Sequence, residues 1–112
     1  MPKSPAELYR HILKEIAFVQ QNKTGLQLEA FLKDEVLQRA FVRSIEIIGE
    51  AVKNIPAEIK DKYPEISWKK IAGTRDRLIH NYFETDLEIV WEIIQTKLPD
   101  IKPVLLELLS QG

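Results

Sequence analysis

The stretch from Phe31 to Val52, FLKDEVLQRAFVRSIEIIGEAV, decides the fold. Phe31, Leu32, Val36, Ala40, Phe41, Ile45, Ile47, Ile48, Ala51 and Val52 recur every three or four residues. That spacing lines one side of a helix with 3.6 residues per turn. The period-two alternation of a half-buried strand is absent. The stripe predicts one long helix over residues 27–54, about 40 Å at a rise of 1.5 Å per residue. In so short a chain such a helix is expected to overhang its own bundle and pack on a second copy.

Toward the N-terminus, Ser4-Pro5-Ala6-Glu7 has the form of a capping box with proline at the first helical position. Leu8, Ile12, Ile16 and Val19 continue it at helical spacing, and Asn22 to Gly25 forms a turn. Toward the C-terminus the pattern predicts a short helix from Pro56 to Lys62, stopped by Tyr63-Pro64. Ser67 caps a fourth helix over 68–82, and Asp86 caps a fifth. Pro99 is expected to interrupt that fifth helix and leave a last short one over 100–110. The expected fold is all-α, an up-and-down bundle of about five helices forming one domain over residues 1–112. A chain of this length buries roughly 60–70% of its unfolded surface, enough for a core.

Composition narrows the function. The chain has 112 residues, 45% of them hydrophobic and none of them cysteine. It is therefore neither disordered nor disulfide-stapled, and thiolate chemistry and cysteine-ligated zinc are excluded. No apolar run approaches the roughly 18 residues a membrane span requires, and Met-Pro-Lys-Ser-Pro has no signal-peptide character. A cytoplasmic protein without a membrane partner is expected. Sixteen Lys and Arg against seventeen Asp and Glu give a net charge of −1, which speaks against a broad nucleic-acid-binding coat. The charge is uneven, however. Residues 67–82 carry Lys69, Lys70, Arg75 and Arg77 against Asp76 alone, a net +3. Residues 84–92 carry Glu84, Asp86, Glu88 and Glu92 and no base, a net −4.

The basic segment also holds the densest chemistry, Arg75-Asp76-Arg77-Leu78-Ile79-His80-Asn81-Tyr82-Phe83. On a straight helix Arg75 and Tyr82 point the same way within about 20°. Asp76 and His80, four apart, share a side. Arg75 and His80 lie about 140° apart, a gap that a kink, a long arginine or a second copy of the helix would close. Histidine titrates in the range needed to move protons near neutrality, and arginine presents a planar fork to phosphate oxygens. The pair suits cleavage of RNA by its own 2′-hydroxyl without metal ligands. The other histidine, His11, falls in the first helix with no polar cluster in sequence around it. A two-fold dimer would supply His80 twice to one cleft and so provide both acid and base. Taken alone, the spacing fits an ordinary surface pair of Asp76 and His80 better than a catalytic site. Gly49 and Gly73 each cost about 1 kcal/mol inside a helix. Close helix packing is expected at Gly49, and room for a partner helix or a phosphate at Gly73.

The segment resembles the HepT-like family of the HEPN superfamily. The family signature, Arg-x4-His-x-Tyr, is matched by Arg75, His80 and Tyr82. The likeness extends through Ile47-Ile48-Gly49-Glu50-Ala51, Ile55-Pro56, Tyr63-Pro64-Glu65-Ile66, Trp68 to Gly73, and Tyr82 through Val90-Trp91. It spans residues 5–100 in order. Asp76 is one of the polar residues the family places after the arginine, although asparagine is expected to be commoner. The resemblance implies an α-helical homodimer acting as a metal-independent endoribonuclease, with no cofactor and with Arg75 and His80 as the catalytic pair supported by Asp76. It implies the toxin half of a type VII toxin–antitoxin pair. The partner would be an MntA-like nucleotidyltransferase antitoxin that adenylylates Tyr82, placing bulk and negative charge beside Arg75. The alternative within the superfamily is a non-catalytic accessory or substrate-binding subunit of such a nucleotidyltransferase.

Overall fold

Ser4 opens the first helix by accepting the Glu7 N–H on its hydroxyl at 3.3 Å. Helix α1 then runs Pro5–Lys23 and turns Leu8, Tyr9, Ile12, Ile16 and Val19 inward. The computed structural model describes residues 4–78 and 85–111, apart from the side chains of Arg75 and Asp76. The chain closes α1 through Gly25, whose φ of +75° lies in the left-handed region that glycine enters without penalty.

The long helix expected over 27–54 is two helices, α2 (Leu28–Phe31) and α3 (Glu35–Lys53). Asp34 decides this. Its backbone is extended, and its carboxylate accepts the Leu37 N–H at 3.0 Å, which begins a new helix instead of continuing the old one. The bend turns Phe31 fully inward, with its ring 5.8 Å from that of Phe41 and 5.4 Å from that of Trp91. Leu32 and Val36, expected in the apolar stripe, are left 42% and 78% exposed. Helix α3 is about 28 Å long and packs along its length on α1 and on the helices that follow, so the anticipated overhang is absent.

Helix α4 (Ala57–Lys60) is one turn, shorter than the 56–62 expected. The helix expected over 68–82 divides at Gly73 into α5 (Trp68–Ala72) and α6 (Thr74–Leu78), and residues 79–82 lie outside the described residues. The Thr74 hydroxyl donates to the Ile71 carbonyl at 2.9 Å at this break. Asp86 caps α7 (Leu87–Glu92), accepting the N–H groups of Glu88 and Ile89, each at 3.1 Å.

Pro99 does not end the helix as expected. A π-helical turn at Ile93–Lys97 leads directly into α8 (Leu98–Gln111). The Leu98 N–H reaches back to the Ile93 carbonyl, so it no longer serves Ile94. The next candidate donor to Ile94 would be Pro99, which has no N–H. The carbonyl thus orphaned accepts the Lys23 ammonium from α1 at 3.1 Å. The wider turn absorbs the proline, and a side chain 71 residues away satisfies the freed oxygen.

The result is a helical bundle, with no β-strand among the described residues. Its core joins Ile12, Ile16 and Val19 of α1 to Phe41, Ile45, Ile48 and Val52 of α3. Trp68 and Ile71 of α5, Leu78 of α6, and Val90, Ile94, Ile101 and Leu105 of the C-terminal helices complete it.

Candidate functional site

The basic helix is set in place by small, buried contacts. Gly49 of α3 faces α5 and α6 so closely that an added Cβ would meet the Ile71 carbonyl at 3.0 Å, the Thr74 hydroxyl at 3.3 Å and the Ala72 carbonyl at 3.4 Å. Close packing expected at Gly49 is thus observed, and two backbone oxygens form the contact. Gly73 ends α5, and a Cβ there would approach only the Lys69 carbonyl, at 3.3 Å. Trp68 is buried, and its indole N–H is shared between the carbonyls of Lys60 and Tyr63 at 3.1 Å each. This ties the loop after α4 to α5 and makes Trp68 a core residue, unavailable for base stacking.

Arg75 and Asp76 fall in α6 between buried Thr74 and buried Leu78. Their side chains, and the whole of His80 and Tyr82, lie outside the described residues. The two ends of that segment are joined, since the Asp86 N–H donates to the Leu78 carbonyl. Lys69, Lys70 and Arg77 are exposed nearby, so the basic character read from residues 67–82 reaches the surface.

Beside this framework lies a groove of about 550 Å³ between α1 and α3. Leu8 and His11 line it from α1, and Arg43, Glu46, Ile47 and Glu50 line it from α3, with Ala51 and Asn54 at one end. His11 therefore has a polar cluster around it, contrary to the sequence reading. The cluster comes from α3, more than 30 positions along the chain, so inspection of the neighbours of His11 could not reveal it. The available signal was the helical spacing of positions 43, 46, 47, 50 and 54, which share one side of α3. A second depression, of about 640 Å³, is bordered by Leu32, Gln38, Arg39 and Val42 and by Thr85 and Leu87. On its rim Arg39 pairs with Glu35 at 2.7 Å; both are largely exposed, so the pair contributes about 0–1 kcal/mol at most.

Among the described residues no three His, Cys, Asp or Glu side chains are grouped to hold a metal ion, and no helix is long and apolar enough to cross a membrane.

Comparison with known proteins gives one consistent answer. Residues 12–108 match the family model described as "Ribonuclease HepT-like". A protein of Caldanaerobacter subterraneus subsp. tengcongensis named "Putative RNase" is 47% identical over 109 residues, covering 97% of this chain and 97% of its own. A second "Putative RNase", from Methanocaldococcus jannaschii, is 42% identical over 106 residues, covering 93% of this chain and 88% of its own. A "Probable ribonuclease HepT" of Thermococcus cleftensis is 37% identical over 102 residues, covering 91% of this chain and 93% of its own. No solved structure gives a significant match.

Proposed function

Because the chain belongs to the ribonuclease HepT-like family, of the HEPN superfamily, we propose that it is a metal-independent endoribonuclease whose catalytic pair is Arg75 and His80. The observation that supports this reading is that the family match spans residues 12–108, an interval that contains Arg75, His80 and Tyr82. The substrate is RNA, and the working form is a homodimer in the cytoplasm.

The chemistry needs one base, one acid and a cation. His80 takes the proton from a ribose 2′-hydroxyl as its oxygen bonds to phosphorus. The bond from phosphorus to the 5′-oxygen breaks, and the partner's His80 gives that oxygen a proton. Arg75 holds the non-bridging oxygens, where negative charge builds up. Asp76, four residues before His80, orients the imidazole. The products are a cyclic phosphate and a free 5′-hydroxyl, so atoms and protons balance without a metal.

The same site explains regulation in a toxin–antitoxin pair. An MntA-like nucleotidyltransferase antitoxin transfers AMP to Tyr82. The added phosphate competes for Arg75 and blocks substrate, which silences the toxin.

Purified protein in EDTA tests the proposal. Wild type is expected to cleave RNA and His80→Ala to lose that activity, with the helical circular dichroism of both unchanged. Equal cleavage by both proteins would refute the assignment of His80. No cleavage by wild type, together with nucleotide transfer by the partner that requires this chain, would favour the accessory-subunit alternative. Incubation with the antitoxin and ATP should add one AMP to wild type and none to Tyr82→Phe.

A further inference from the structure

The depression between the first half of α3 and the start of α7 is a cavity that the chemistry above leaves unused. Glu35, Gln38, Arg39 and Val42 line it from one side of α3, where their spacing of three and four residues places them together. Leu32 and Lys33 close it from the bend before α3, and Thr85 and Leu87 close it from the opposite side. Its volume of about 640 Å³ falls within the range of about 300–1,000 Å³ of small-ligand pockets. Its position ties it to the proposed site. Thr85 stands three residues after Tyr82 and five after His80. Asp86, the next residue, donates its N–H to the Leu78 carbonyl at the end of α6, the helix that contains Arg75.

The lining is mixed in the way a nucleotide requires. Val42 and Leu87 are half-buried, and the bend at Asp34 leaves Leu32 42% exposed, so the three offer apolar surface to the face of a base. The Gln38 amide nitrogen donates to the Phe31 carbonyl at 2.9 Å. Only the nitrogen of an amide can donate, so this bond fixes the group and leaves its oxygen as an acceptor for an N–H on a base edge. Two cations stand on the rim against one acid. Arg39 grips Glu35 through Nε and Nη2, both on Oε1, which neutralises that carboxylate. Lys33 is exposed and makes no hydrogen bond or ion pair with the described residues, so its ammonium can meet a phosphate. A base enters such a cavity only when it is unstacked, as in single-stranded RNA and not within an A-form duplex.

We infer that this depression is a subsite for one nucleotide of single-stranded RNA, flanking the bond that is cut. The base lies on Leu32, Val42 and Leu87, the Gln38 oxygen accepts from its edge, and Lys33 holds its phosphate. The inference rests on the ribonuclease reading proposed above and names the form of RNA that the site takes.

Binding and cleavage test the subsite separately in the full-length protein. Binding uses a fluorescent 2′-O-methyl RNA oligonucleotide, which has no 2′-hydroxyl to attack with, titrated over a salt series. Cleavage uses a pool of RNAs of random sequence, with the cut sites read by sequencing, and kinetics on one oligonucleotide that is cut. Wild type is expected to bind the single strand about tenfold or more tighter than the same sequence in a duplex, and to favour some bases at one position beside the cut. Lys33→Gln should lower the slope of log Kd against log salt by about 0.7, the loss of one single-strand phosphate contact. Leu32→Glu should raise KM about tenfold with kcat within about twofold, since it places an acid beside the nucleotide. Gln38→Met should flatten the base preference, whereas lost packing alone would lower activity without changing which bases are chosen. Leu32 and Lys33 are exposed, so the fold is preserved, as circular dichroism would verify. Cleavage by wild type with affinity, KM and base preference unmoved by all three substitutions overturns the subsite and leaves the nuclease standing. Equal affinity for single strand and duplex also overturns it. Binding that responds to the substitutions, without cleavage by wild type, keeps the subsite and removes the catalytic assignment. Neither binding nor cleavage by wild type overturns both readings. Loss of antitoxin binding with unaltered RNA kinetics would make the depression a protein-docking surface and refute the inference.

Discussion

Replacing Gly49 by alanine sets two effects of known sign against each other. Inside an exposed helix the change would stabilise by about 1 kcal/mol, since glycine is the poorer helix former. Here the new methyl meets two carbonyl oxygens and a buried hydroxyl, at 3.0, 3.4 and 3.3 Å. The carbonyls belong to α5 backbone and cannot rotate aside, and the hydroxyl is held by its bond to the Ile71 carbonyl at 2.9 Å. Overpacking of this kind costs about 1–3 kcal/mol. The clash therefore wins, and Gly49→Ala is expected to lose about 1 kcal/mol net, a fall of about 3–6 °C in Tm for a chain of this size. Urea unfolding followed by tryptophan fluorescence is the assay, because Trp68 lies in α5 beside the contact. The variant should also cleave RNA more slowly, since relief of the clash moves α6 and Arg75 with it. A variant more stable than wild type would refute the reasoning, because it would mean that α5 and α6 yield freely and that only helix propensity counts at this position.

Other expectations follow from the core and from the proline-containing turn. Phe31→Ala removes a fully buried ring stacked on Phe41 and tilted against Trp91, and should cost about 3–5 kcal/mol in chemical denaturation. A loss under 1 kcal/mol would mean that the bend before α3 does not depend on that cluster. Lys23→Met keeps the apolar stem but leaves the Ile94 carbonyl without its donor, and should cost about 1 kcal/mol. Hydrogen exchange around residues 93–98 should quicken in that variant, and unchanged protection would show that water replaces the ammonium without loss. Burial, and then the neighbouring Tyr63, raise the Tyr9 hydroxyl above its ordinary value of 10.0. The folded state therefore holds that proton more tightly than the unfolded state does. The associated stability is complete below pH 10 and is lost as pH rises through the higher folded value. Tyr9→Phe should flatten the alkaline limb of a plot of stability against pH, and an unchanged limb would assign it to other groups.

Several features were legible from single residues. Ser4 and Asp86 act as the caps their positions predict, and Gly49 marks close packing as expected. Each depends on atoms within a few residues or on the absence of one side chain. The bend before α3 was also written locally, at Asp34, but the continuous apolar stripe across it masked the cap. Periodicity counts apolar residues and does not register that an aspartate there offers the backbone another partner. Pro99 misled in the opposite direction. Its missing N–H predicts an interruption only if no distant donor compensates, and Lys23 of α1 does so. Arg75 and His80 were marked as candidates by residue type, because phosphate chemistry needs those functional groups wherever the chain places them, and the roles expected of Asp76 and Tyr82 came from the family resemblance. The groove against α1 was not found, since His11 and Arg43 meet only through the packing of two helices.

The sequence by itself determined that the chain is helical, which faces are apolar and where most helices begin, and it offered Arg75 and His80 as candidates for acid–base chemistry on a phosphate. These properties follow from 3.6-residue periodicity, caps and side-chain pKa, all of which operate within one or two turns. Only the tertiary structure decided that Phe31 turns inward, that the helix through Pro99 survives, and that His11 of α1 meets the polar side of α3. Those outcomes depend on residues tens of positions apart, where burial and hydrogen-bond satisfaction are settled jointly by helices that no local pattern describes.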